Sequence, residues 1–344
     1  MSQSSGQADD APQRALFDLI FGYRATQLVA LAARLEIAER LADGPRSAKE
    51  LAHATQTQPE ALYRALRALA SLGVFAELDG RRFALTPLGE RLQATHPESV
   101  RPAALFAGAE AYHAWAELPY SVATGQTGFD HLYGASHFAW LTEHPEENAL
   151  FNQVMTAGSP RAADAVVAAY DFGERGTVVD VAGGQGLLLA TILRAHTGLR
   201  GVLFDLPHVV ASAGPTLQTA GVVERCEIVS GDFFAHVPSG GDIYTLRRVI
   251  HDWDDERAVA ILRNCAQALG PQGRIAVIEQ VMPSGPGKGP GAGRAASLDV
   301  QMLIMTGGHE RTAEEFARLF SAAGLRLTRI IPTQAGPSVI EGML

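Results

Sequence analysis

Apolar residues in the first part of the chain recur at helical spacing. The repeat is interrupted at Gly44-Pro45, a pair that ends helices. Before that break, one apolar stripe consists of Leu16, Ile20, Tyr23, Leu28 and Leu31. An apolar helix at the start of a domain is suited to burial against a second subunit, so we expect a homodimer.

A short module follows this leading helix. Ser47, with Glu50 three residues later, predicts a helix with a capping box. A second helix is predicted over Pro59–Leu72, and Asp79-Gly80 predicts a tight hairpin between two strands. Helix, turn, helix and hairpin is the order of a winged-helix domain, which we place at residues 15–102.

The net charge of the chain helps to decide whether this module binds DNA. It could bind DNA, or it could be a structural module whose arginines are solvated. The chain carries a net charge of −9 over 344 residues, which argues against a nucleic-acid surface and favours the structural interpretation. The arginines concerned are Arg64, Arg67, Arg81 and Arg82.

Residues 103–170 are predicted to be helical, with breaks near Thr124–Gly128 and Tyr133–Ser136. Aromatic residues are frequent in this region, and most are expected to be core. Phe151 and Met155, one helical turn apart, are our candidates for contacts to a flat aromatic substrate.

From residue 171 onwards, apolar strands alternate with helices, notably Asp254–Leu269 and Arg311–Ala323. This alternation predicts a doubly wound, Rossmann-like α/β domain over 171–344, with its ligand at the carboxyl ends of the strands. Pro283–Gly293 is predicted to be a flexible loop. Strands are predicted at 177–181, 201–205, 226–230, 242–246, 273–280, 326–331 and 337–341.

The first of these strands leads into the sequence VVDVAGGQG, which contains Asp180 and the turn Gly183-Gly184-Gln185-Gly186. A glycine turn followed by a helix N-terminus can approach an anionic ligand closely. The dinucleotide fingerprint would require glycine at position 189, where Leu189 stands, so a dehydrogenase is disfavoured. A nucleoside that carries a carboxylate fits the shorter turn, and S-adenosylmethionine (SAM) is the obvious candidate.

Later strand ends supply further ligand-binding groups. Asp205, followed by Leu206, can hold the ribose hydroxyls. The run Gly231-Asp232-Phe233-Phe234 offers a carboxylate to the adenine amine and a ring to cover the base. The next strand end contributes Arg247.

His251 is the candidate general base, because a histidine near its usual pKa of ~6.5 can accept a proton at neutral pH. A capping or surface histidine is the alternative. Glu279 and Glu310 could flank the imidazole and stabilise its protonated form. Glu310 could instead be an acidic residue at the start of the following helix.

Together these motifs resemble the plant-type small-molecule O-methyltransferases, of the caffeate and hydroxyneurosporene kind, and their bacterial relatives in secondary metabolism. The resemblance covers nearly the whole chain. In order, its motifs are VVDVAGGQG, LFDLPHVV, GDFF, LRRVIHDWDDE, IEQVMP and GGHERT.

This resemblance implies a class I methyltransferase fold behind a dimerisation domain. It places the SAM site on Gly184, Asp205, Asp232, Phe233 and Arg247. It places the base on His251 between Glu279 and Glu310. The substrate-lining positions it implies are Phe151, Met155, Gln301 and Met305.

The resemblance also implies direct transfer of a methyl group from SAM to a hydroxyl, with His251 as base and no metal. Ala182 stands where many relatives have glycine, and we expect a negative φ there with no close ligand approach. Arg247 replaces a frequent lysine and keeps the positive charge. An N- or C-methyltransferase, a non-methylating SAM-binding enzyme and a DNA-binding regulator remain alternatives.

The remaining features concern location. Residues 1–14 lack a signal-peptide pattern and are predicted to be a disordered tail. No apolar run reaches the ~20 residues of a membrane span, so no membrane partner is expected. Cys226 and Cys265 lack metal-binding spacing and form no disulfide framework, which favours a reducing cytoplasm.

Overall fold

A computed structural model describes residues 11–156, 159–285 and 292–344 of the chain. It divides into two compact units, one ending at Tyr112 and one running from His113 to Leu344. Residues 1–10 of the predicted tail and residues 286–291 of the predicted loop lie outside the described part. Residues 11–14 of that tail instead belong to the first helix.

The first unit is mainly helical, with one small sheet whose strand order is β1-β3-β2. Its helices are α1 (Ala11–Ile20), α2 (Gly22–Arg34), α3 (Ile37–Arg40), α4 (Ala48–Thr55), α5 (Pro59–Ser71) and α6 (Arg101–Ala107), and α7 (Glu110–Trp115) spans the boundary. Its strands are β1 (Arg46–Ser47), β2 (Phe75–Leu78) and β3 (Arg82–Leu85), followed by a 3₁₀ turn over Gly89–Leu92.

Local signals in this unit act as predicted. Ser47 and Glu50 form the reciprocal capping box at the start of α4. Gly80 has a φ of +74° in the β2–β3 turn, a conformation that glycine adopts without strain. Arg81, one of the arginines considered for DNA, donates to the Glu60 carboxylate at 2.8 Å.

The first unit extends ten residues beyond the boundary predicted after residue 102. Helix α6 accounts for the difference, because it packs against α2. Arg101 Nε donates to the carbonyl of Ala33 at 3.2 Å. At Gly108 an added Cβ would lie 2.2 Å from the Ala30 Cβ, so the two helices are in close contact at that point.

The second unit begins with short helices, and its predicted breaks are observed. Helix α8 ends at Thr124 and α9 begins at Gly128, while α9 ends at Tyr133 and α10 begins at His137. Gly125 and Gly134 have φ values of +71° and +74°, which end these helices. The helices are α8 (Leu118–Thr124), α9 (Gly128–Tyr133), α10 (His137–Glu143), α11 (Pro145–Thr156) and α12 (Ser159–Ala169).

Seven of the described strands then form one sheet, in the order β11-β12-β8-β7-β4-β5-β6. The strands are β4 (Gly176–Val181), β5 (Leu199–Asp205), β6 (Cys226–Ser230), β7 (Ile243–Arg247), β8 (Arg274–Glu279), β11 (Arg326–Pro332) and β12 (Ser338–Met343). Strands β4 to β8 are mutually parallel, while β12 is antiparallel to both β8 and β11. The predicted α/β class is confirmed, and the chain reverses its strand order beside β4, where ligands bind in such sheets.

Helices cover both faces of this sheet. They are α13 (Leu187–Ala195), α14 (Pro207–Val210), α15 (Gly214–Thr219), α16 (Asp255–Ala268), α17 (Ala292–Met305) and α18 (Ala313–Ala322), with 3₁₀ turns at Val223–Arg225 and Ile250–Asp252. Residues 275–278 of β8 are fully buried, as expected for a strand covered on both faces. Apolar side chains of successive residues in this strand therefore enter different cores.

Helix α18 begins two residues later than predicted, at Ala313 instead of Arg311. The reason is Thr312, which forms a capping box with Glu315 and therefore sets the helix start. Arg311 and Thr312 instead form a short strand, β10, parallel to β9 (Val281–Met282). The apolar pattern of the sequence did not predict the pairing of β9 with β10.

No single helix among the described residues is long and apolar enough to cross a membrane. The helices α1 and α2 meet that test only as a pair, with a bend of 43° between them.

Candidate active site

The turn after β4 adopts the conformation of a ligand-binding turn. Gly184 and Gly186 have φ values of +60° and +79°, and Ala182 has a φ of +53°. The expectation of a negative φ at Ala182 was therefore wrong, as was the expectation that it stands away from the ligand site, because Ala182 lines the cavity described below. A left-handed alanine is strained, and such strain is often found at functional sites.

The glycines of this turn have different roles. At Gly183 an added Cβ would lie 2.5 Å from Leu203 Cδ1 and 2.7 Å from Asp180 Oδ2, so a side chain there would force these neighbours or the turn to shift. At Gly184 it would meet nothing within 4 Å, which leaves open space beside the backbone. Gly186 instead packs near Leu203, and it does not line the cavity.

Asp180, at the end of β4, is a buried carboxylate beside this turn. Thr245 donates its hydroxyl to Asp180 Oδ1 at 2.7 Å, while Oδ2 has no hydrogen-bond partner among the described residues. Burial raises the pKa of Asp180 to about 6, although Thr245 and Arg247 oppose the rise. An unpaired buried oxygen at the cavity is a place for a ligand donor.

Asp205, at the end of β5, links the two strand ends. Its carboxylate accepts the backbone N–H of Gly184 at 2.8 Å and that of Leu206 at 2.7 Å. Burial raises its pKa, and the two N–H groups work against that rise. Both Asp205 and Leu206 line the cavity, so the predicted ribose-binding carboxylate is held in place by the glycine turn.

The turn after β6 carries an aspartate and two phenylalanines. Asp232 accepts the N–H of Phe234 at 2.8 Å, and Asn264 donates to the carbonyls of Phe233 and Phe234. Asp232, Phe233 and Phe234 all line the cavity. Gly231 does not, because its position is dictated by the Phe204 ring, which an added Cβ would approach to 2.6 Å.

These strand ends enclose a cavity of about 310 Å³. Arg247, from the end of β7, is also part of its wall, and burial lowers the pKa of this arginine to about 10. The opposite wall is aromatic and amide-bearing, and one face of α11 provides most of it. The residues of that wall are Phe138, Leu141, Asn148, Phe151, Asn152, Met155 and Thr156.

His251 lies beside this cavity, on the 3₁₀ turn after β7. The ring is 6% exposed, and its Nδ1 is 2.7 Å from Glu310 Oε1. Glu310 is itself placed by Asp299 of α17, which accepts its backbone N–H at 2.8 Å. Glu310 therefore contacts the imidazole and does not act as an acidic residue at the start of α18.

The other imidazole nitrogen, Nε2, lies 3.8 Å from Asp252 Oδ1. Asp252 lines the cavity together with Val249 and Trp253, whereas His251 is not among the lining residues. Because Nδ1 contacts Glu310, Nε2 is the nitrogen left next to Asp252, which lines the cavity. Asp252 is a site residue that motif reasoning missed, although it directly follows His251.

Glu279, at the end of β8, contacts the backbone of the turn that carries His251. Its Oε1 accepts the backbone N–H groups of Val249, Ile250 and His251 at 3.0, 2.6 and 3.2 Å. Glu279 therefore hydrogen-bonds the backbone and not the ring, while its negative charge still raises the pKa of His251, and its catalytic role stays a prediction. A carboxylate at the end of β8 meets three N–H groups that the turn after β7 leaves unpaired, and it holds the backbone instead of the ring.

The charges around His251 favour its protonated form. Burial by itself lowers the pKa of His251, but the carboxylates of Asp252, Glu279 and Glu310 outweigh this effect and raise it to about 9. Burial raises the pKa of Asp252 to about 6, against the opposing effect of His251. The pKa of His251 is therefore raised above that of the unperturbed histidine assumed from the sequence.

Two predicted substrate contacts are not in this cavity. Gln301 accepts the indole N–H of Trp115, and Met305 is buried at 2% exposure. Both lie on α17, and their role in substrate binding stays a prediction. Phe151 and Met155, by contrast, line the cavity, and their contact with a substrate stays a prediction. The helical spacing of Asn148, Asn152 and Thr156 with these two could have extended the prediction to the whole face of α11.

A mostly parallel sheet with a reversed strand order, a glycine turn and acidic residues at the next strand ends is typical of the class of nucleotide-binding enzymes with a Rossmann-like domain. Comparison with known proteins narrows this class. Residues 115–326 match the O-methyltransferase domain family, and residues 17–95 match the O-methyltransferase dimerisation domain. The chain belongs to the O-methyltransferase family.

Individual relatives agree with this assignment. The phenazine O-methyltransferase PhzM of Lysobacter antibioticus is 44% identical over 326 residues, which cover 95% of this chain and 94% of the relative. The crystal structure of LaPhzM superposes with a TM-score of 0.92 at 43% identity, covering 96% and 98% of the two chains. That of NcsB1, from neocarzinostatin biosynthesis, holds SAM and 2-hydroxy-5-methyl naphthoic acid and superposes with a TM-score of 0.82 at 34% identity, covering 93% and 96%.

The cofactor of this family is SAM, and the cavity suits it. The glycine turn leaves space at Gly184, and the unpaired Asp180 Oδ2 and the Asp205 carboxylate face the same region. The described residues contain no group of three or more His, Cys, Asp or Glu side chains that could hold a metal ion.

Proposed function

We propose that this enzyme methylates a phenolic hydroxyl on a small, flat aromatic metabolite, with His251 as the general base. The observation that carries the proposal is the 2.7 Å contact between His251 Nδ1 and Glu310 Oε1 at the edge of a cavity with a glycine turn on one side and aromatic rings on the other. The named compounds of two relatives, a phenazine and a hydroxynaphthoic acid, are flat aromatic molecules.

The two walls of the cavity have different roles in this proposal. Asp180, Asp205, Asp232 and Arg247 form the polar wall that we assign to SAM, with Phe233 and Phe234 beside the adenine. Phe151 and Met155 contact the aromatic acceptor from α11. SAM, when bound, supplies a methyl group on a positively charged sulfur.

In the reaction, the acceptor hydroxyl gives its proton to His251 Nε2. The hydroxyl oxygen forms a bond to the methyl carbon while the carbon–sulfur bond breaks, and its electron pair stays on sulfur as a neutral thioether. Glu310 stabilises the imidazolium that results. General-base catalysis contributes ~10²–10⁴-fold, and correct placement of oxygen and methyl group contributes ~7–11 kcal/mol, so placement has the larger effect.

We further infer that the chain forms a homodimer through its first unit. Residues 17–95 match a dimerisation domain. Helix α1 has no buried residue, and it exposes large apolar side chains, with Leu16, Leu19 and Ile20 at 58%, 78% and 53%. An exposed apolar surface of this kind marks a protein interface. The free cysteines, Cys226 and Cys265, are compatible with the reducing cytoplasm that we propose as its location.

The acceptor atom is tested by product analysis. Purified protein is incubated with SAM and matched panels of phenols, anilines and carbon acids, and the products are examined by mass spectrometry and carbon NMR. We expect a methyl ether from at least one phenol, with an equal amount of S-adenosylhomocysteine. A methylated nitrogen or carbon with no ether would overturn the assignment of oxygen as acceptor.

A further inference from the structure

The short segment Gly308–Arg311, after helix α17, lies directly against the loop that carries His251. We call residues 249–253 the base loop. An added Cβ at Gly308 would lie 2.0 Å from the carbonyl oxygen of His251 and 2.4 Å from the carbonyl carbon of Asp252. Only a glycine allows the backbone to pass this close, so the segment packs directly against the backbone of the base loop at this point.

Arg311 makes the most extensive contact in this segment. It is fully buried, and its guanidinium donates to the carbonyls of Ile250 at 3.0 Å and Trp253 at 2.8 Å. Its Nε and Nη2 also donate to Asp255 Oδ1 at 3.0 and 2.8 Å. These acceptors lie on both sides of His251 and Asp252. The rigid, planar guanidinium thus fixes the spacing of the backbone around the proposed base.

The opposite side of the base loop is held by Glu279, which accepts its three N–H groups. Glu279 and Arg311 are connected through a pair of short strands. Strand β9 follows Glu279 by one residue, and it pairs with β10, where Arg311 is opposite Val281. The base loop is therefore held on two sides. Glu279, at the end of β8, accepts three of its N–H groups, and Arg311, on β10, donates to two of its carbonyls.

We propose that Arg311 is a positioning residue for methyl transfer, which sets where the His251 ring stands relative to the acceptor hydroxyl. The proposal rests on the function assigned to His251 above. Arg311 acts through the backbone and lies outside the cavity lining. Because a displacement of about 1 Å at a reacting group can cost about 100-fold in rate, a loosened base loop should reduce turnover strongly.

A purely structural arginine is the competing explanation, and the chain offers a matched control. Arg329 donates through Nε and Nη2 to the Glu341 carboxylate, both at 2.9 Å, on strands β11 and β12. Like Arg311 with Asp255, Arg329 makes two hydrogen bonds to one carboxylate group. Arg311→Lys and Arg329→Lys therefore make the same chemical change, and only the first touches the base loop.

Activity is compared at a temperature at which both variants are folded. We expect Arg311→Lys to lower kcat by about 10- to 100-fold, with the affinity for S-adenosylhomocysteine within about twofold of the original protein. Its kcat/KM for SAM should also rise with pH at a lower midpoint, because the contact between His251 and Glu310 is weakened. Arg329→Lys should leave kcat and the pH midpoint unchanged. Equal kcat values in the two variants would overturn the proposal.

A second measurement does not depend on turnover. Hydrogen exchange at the amides of Val249, Ile250 and His251 should become faster in Arg311→Lys and not in Arg329→Lys. If the original protein methylates no phenol, the proposed function fails, yet the exchange data still decide whether Arg311 holds the base loop. Unchanged exchange at these amides would overturn the positioning role whatever the activity.

If Arg311→Lys does not fold, Asp255→Asn is the milder variant. Asp255 is 71% exposed in its side chain, so the substitution leaves no cavity while it removes the charge that anchors Arg311. We expect the same pattern, with a smaller loss of kcat and unchanged binding of S-adenosylhomocysteine. No loss of kcat together with unchanged amide exchange would again contradict the proposal.

Discussion

At the scale of single residues, the proposed base, His251, differs from a free histidine in its pKa. Carboxylates of Asp252, Glu279 and Glu310 keep the pKa of His251 at about 9 although the ring is buried. A group with a raised pKa becomes a base only as the pH rises through that value. The free enzyme must therefore lose a proton from the ring before, or as, the cationic sulfonium binds nearby.

This charge arrangement predicts the effect of Glu310→Gln on pH dependence. The amide removes one negative charge next to the ring, so the pKa of His251 falls and its neutral form appears at lower pH. The pH profile of kcat/KM for SAM, which reports on the free enzyme, should shift to lower pH. Maximal kcat should fall because the ring loses its orienting carboxylate.

A suitable control is Glu314→Gln, at an exposed position whose carboxylate accepts a hydrogen bond from Ser284. It should leave the profile in place. A Glu310→Gln profile that coincides with the original one, or that moves to higher pH, would contradict the role of Glu310.

Ala182 provides a second residue-scale prediction. A left-handed conformation costs an alanine about 1–2 kcal/mol, and glycine avoids this cost at some expense in chain entropy. Ala182→Gly should therefore raise the free energy of unfolding by about 0.5–1 kcal/mol, as measured by chemical denaturation. Ala317→Gly, at an exposed position in the interior of helix α18, should lower it by about 1 kcal/mol. A destabilised Ala182→Gly would contradict the strain at this turn.

At the scale of elements, we propose that the turn between β4 and α13 binds the cofactor. Gly183→Ala would place a methyl group against Leu203 and the Asp180 carboxylate, so either these side chains or the turn must shift to accommodate it. We expect its affinity for S-adenosylhomocysteine, measured by calorimetry, to fall at least about 10-fold, which corresponds to about 1.4 kcal/mol.

Gly214→Ala is the matched control for this turn. Gly214 begins helix α15, and an added Cβ there meets nothing within 4 Å. Its binding should be unchanged. Normal affinity in Gly183→Ala would show that the cofactor does not depend on this turn.

Much of the element pattern could be predicted from the sequence, because apolar periodicity and capping residues are local signals. The strand VVDV, the Ser47 capping box and the break at Gly125 were all predicted at the right places. Contacts between distant segments have no such signal. The Glu279 carboxylate meets N–H groups that exist only because the turn after β7 leaves them unpaired, and Arg311 reaches carbonyls of that same turn.

The candidate site was predicted only in part, because some of its residues are placed by contacts between segments that are distant in the sequence. Residues at strand ends, such as Asp205 and Asp232, follow from the topology of a parallel sheet. Gly186 and Gly231 were assigned to the cofactor, but neither lines the cavity, and the φ of +79° at Gly186 and the Phe204 ring beside Gly231 account for glycine at these positions. A sequence motif does not distinguish a glycine that admits a ligand from one that admits a neighbouring side chain.

At the scale of the whole molecule, the proposed dimer depends on helix α1. A double substitution, Leu16→Asp with Leu19→Asp, puts charges on its exposed apolar face. Light scattering after size exclusion should show twice the chain mass of 36.5 kDa for the original protein and a shift towards one chain mass for the variant. Val122→Asp, at a position 72% exposed in the second unit, is the control and should stay dimeric. A double variant that stays at the original mass would show that α1 is not the interface.

The central claim is that His251 takes the proton of a hydroxyl that receives the methyl group of SAM. The most direct measurement is the single-turnover rate of methyl transfer from SAM labelled with a CD₃ group, for the original protein and for His251→Ala. We predict label in a methyl ether, a rate lower by ~10²–10⁴-fold in the variant, and an affinity for S-adenosylhomocysteine within about twofold of the original. Equal single-turnover rates in the two proteins would contradict the claim.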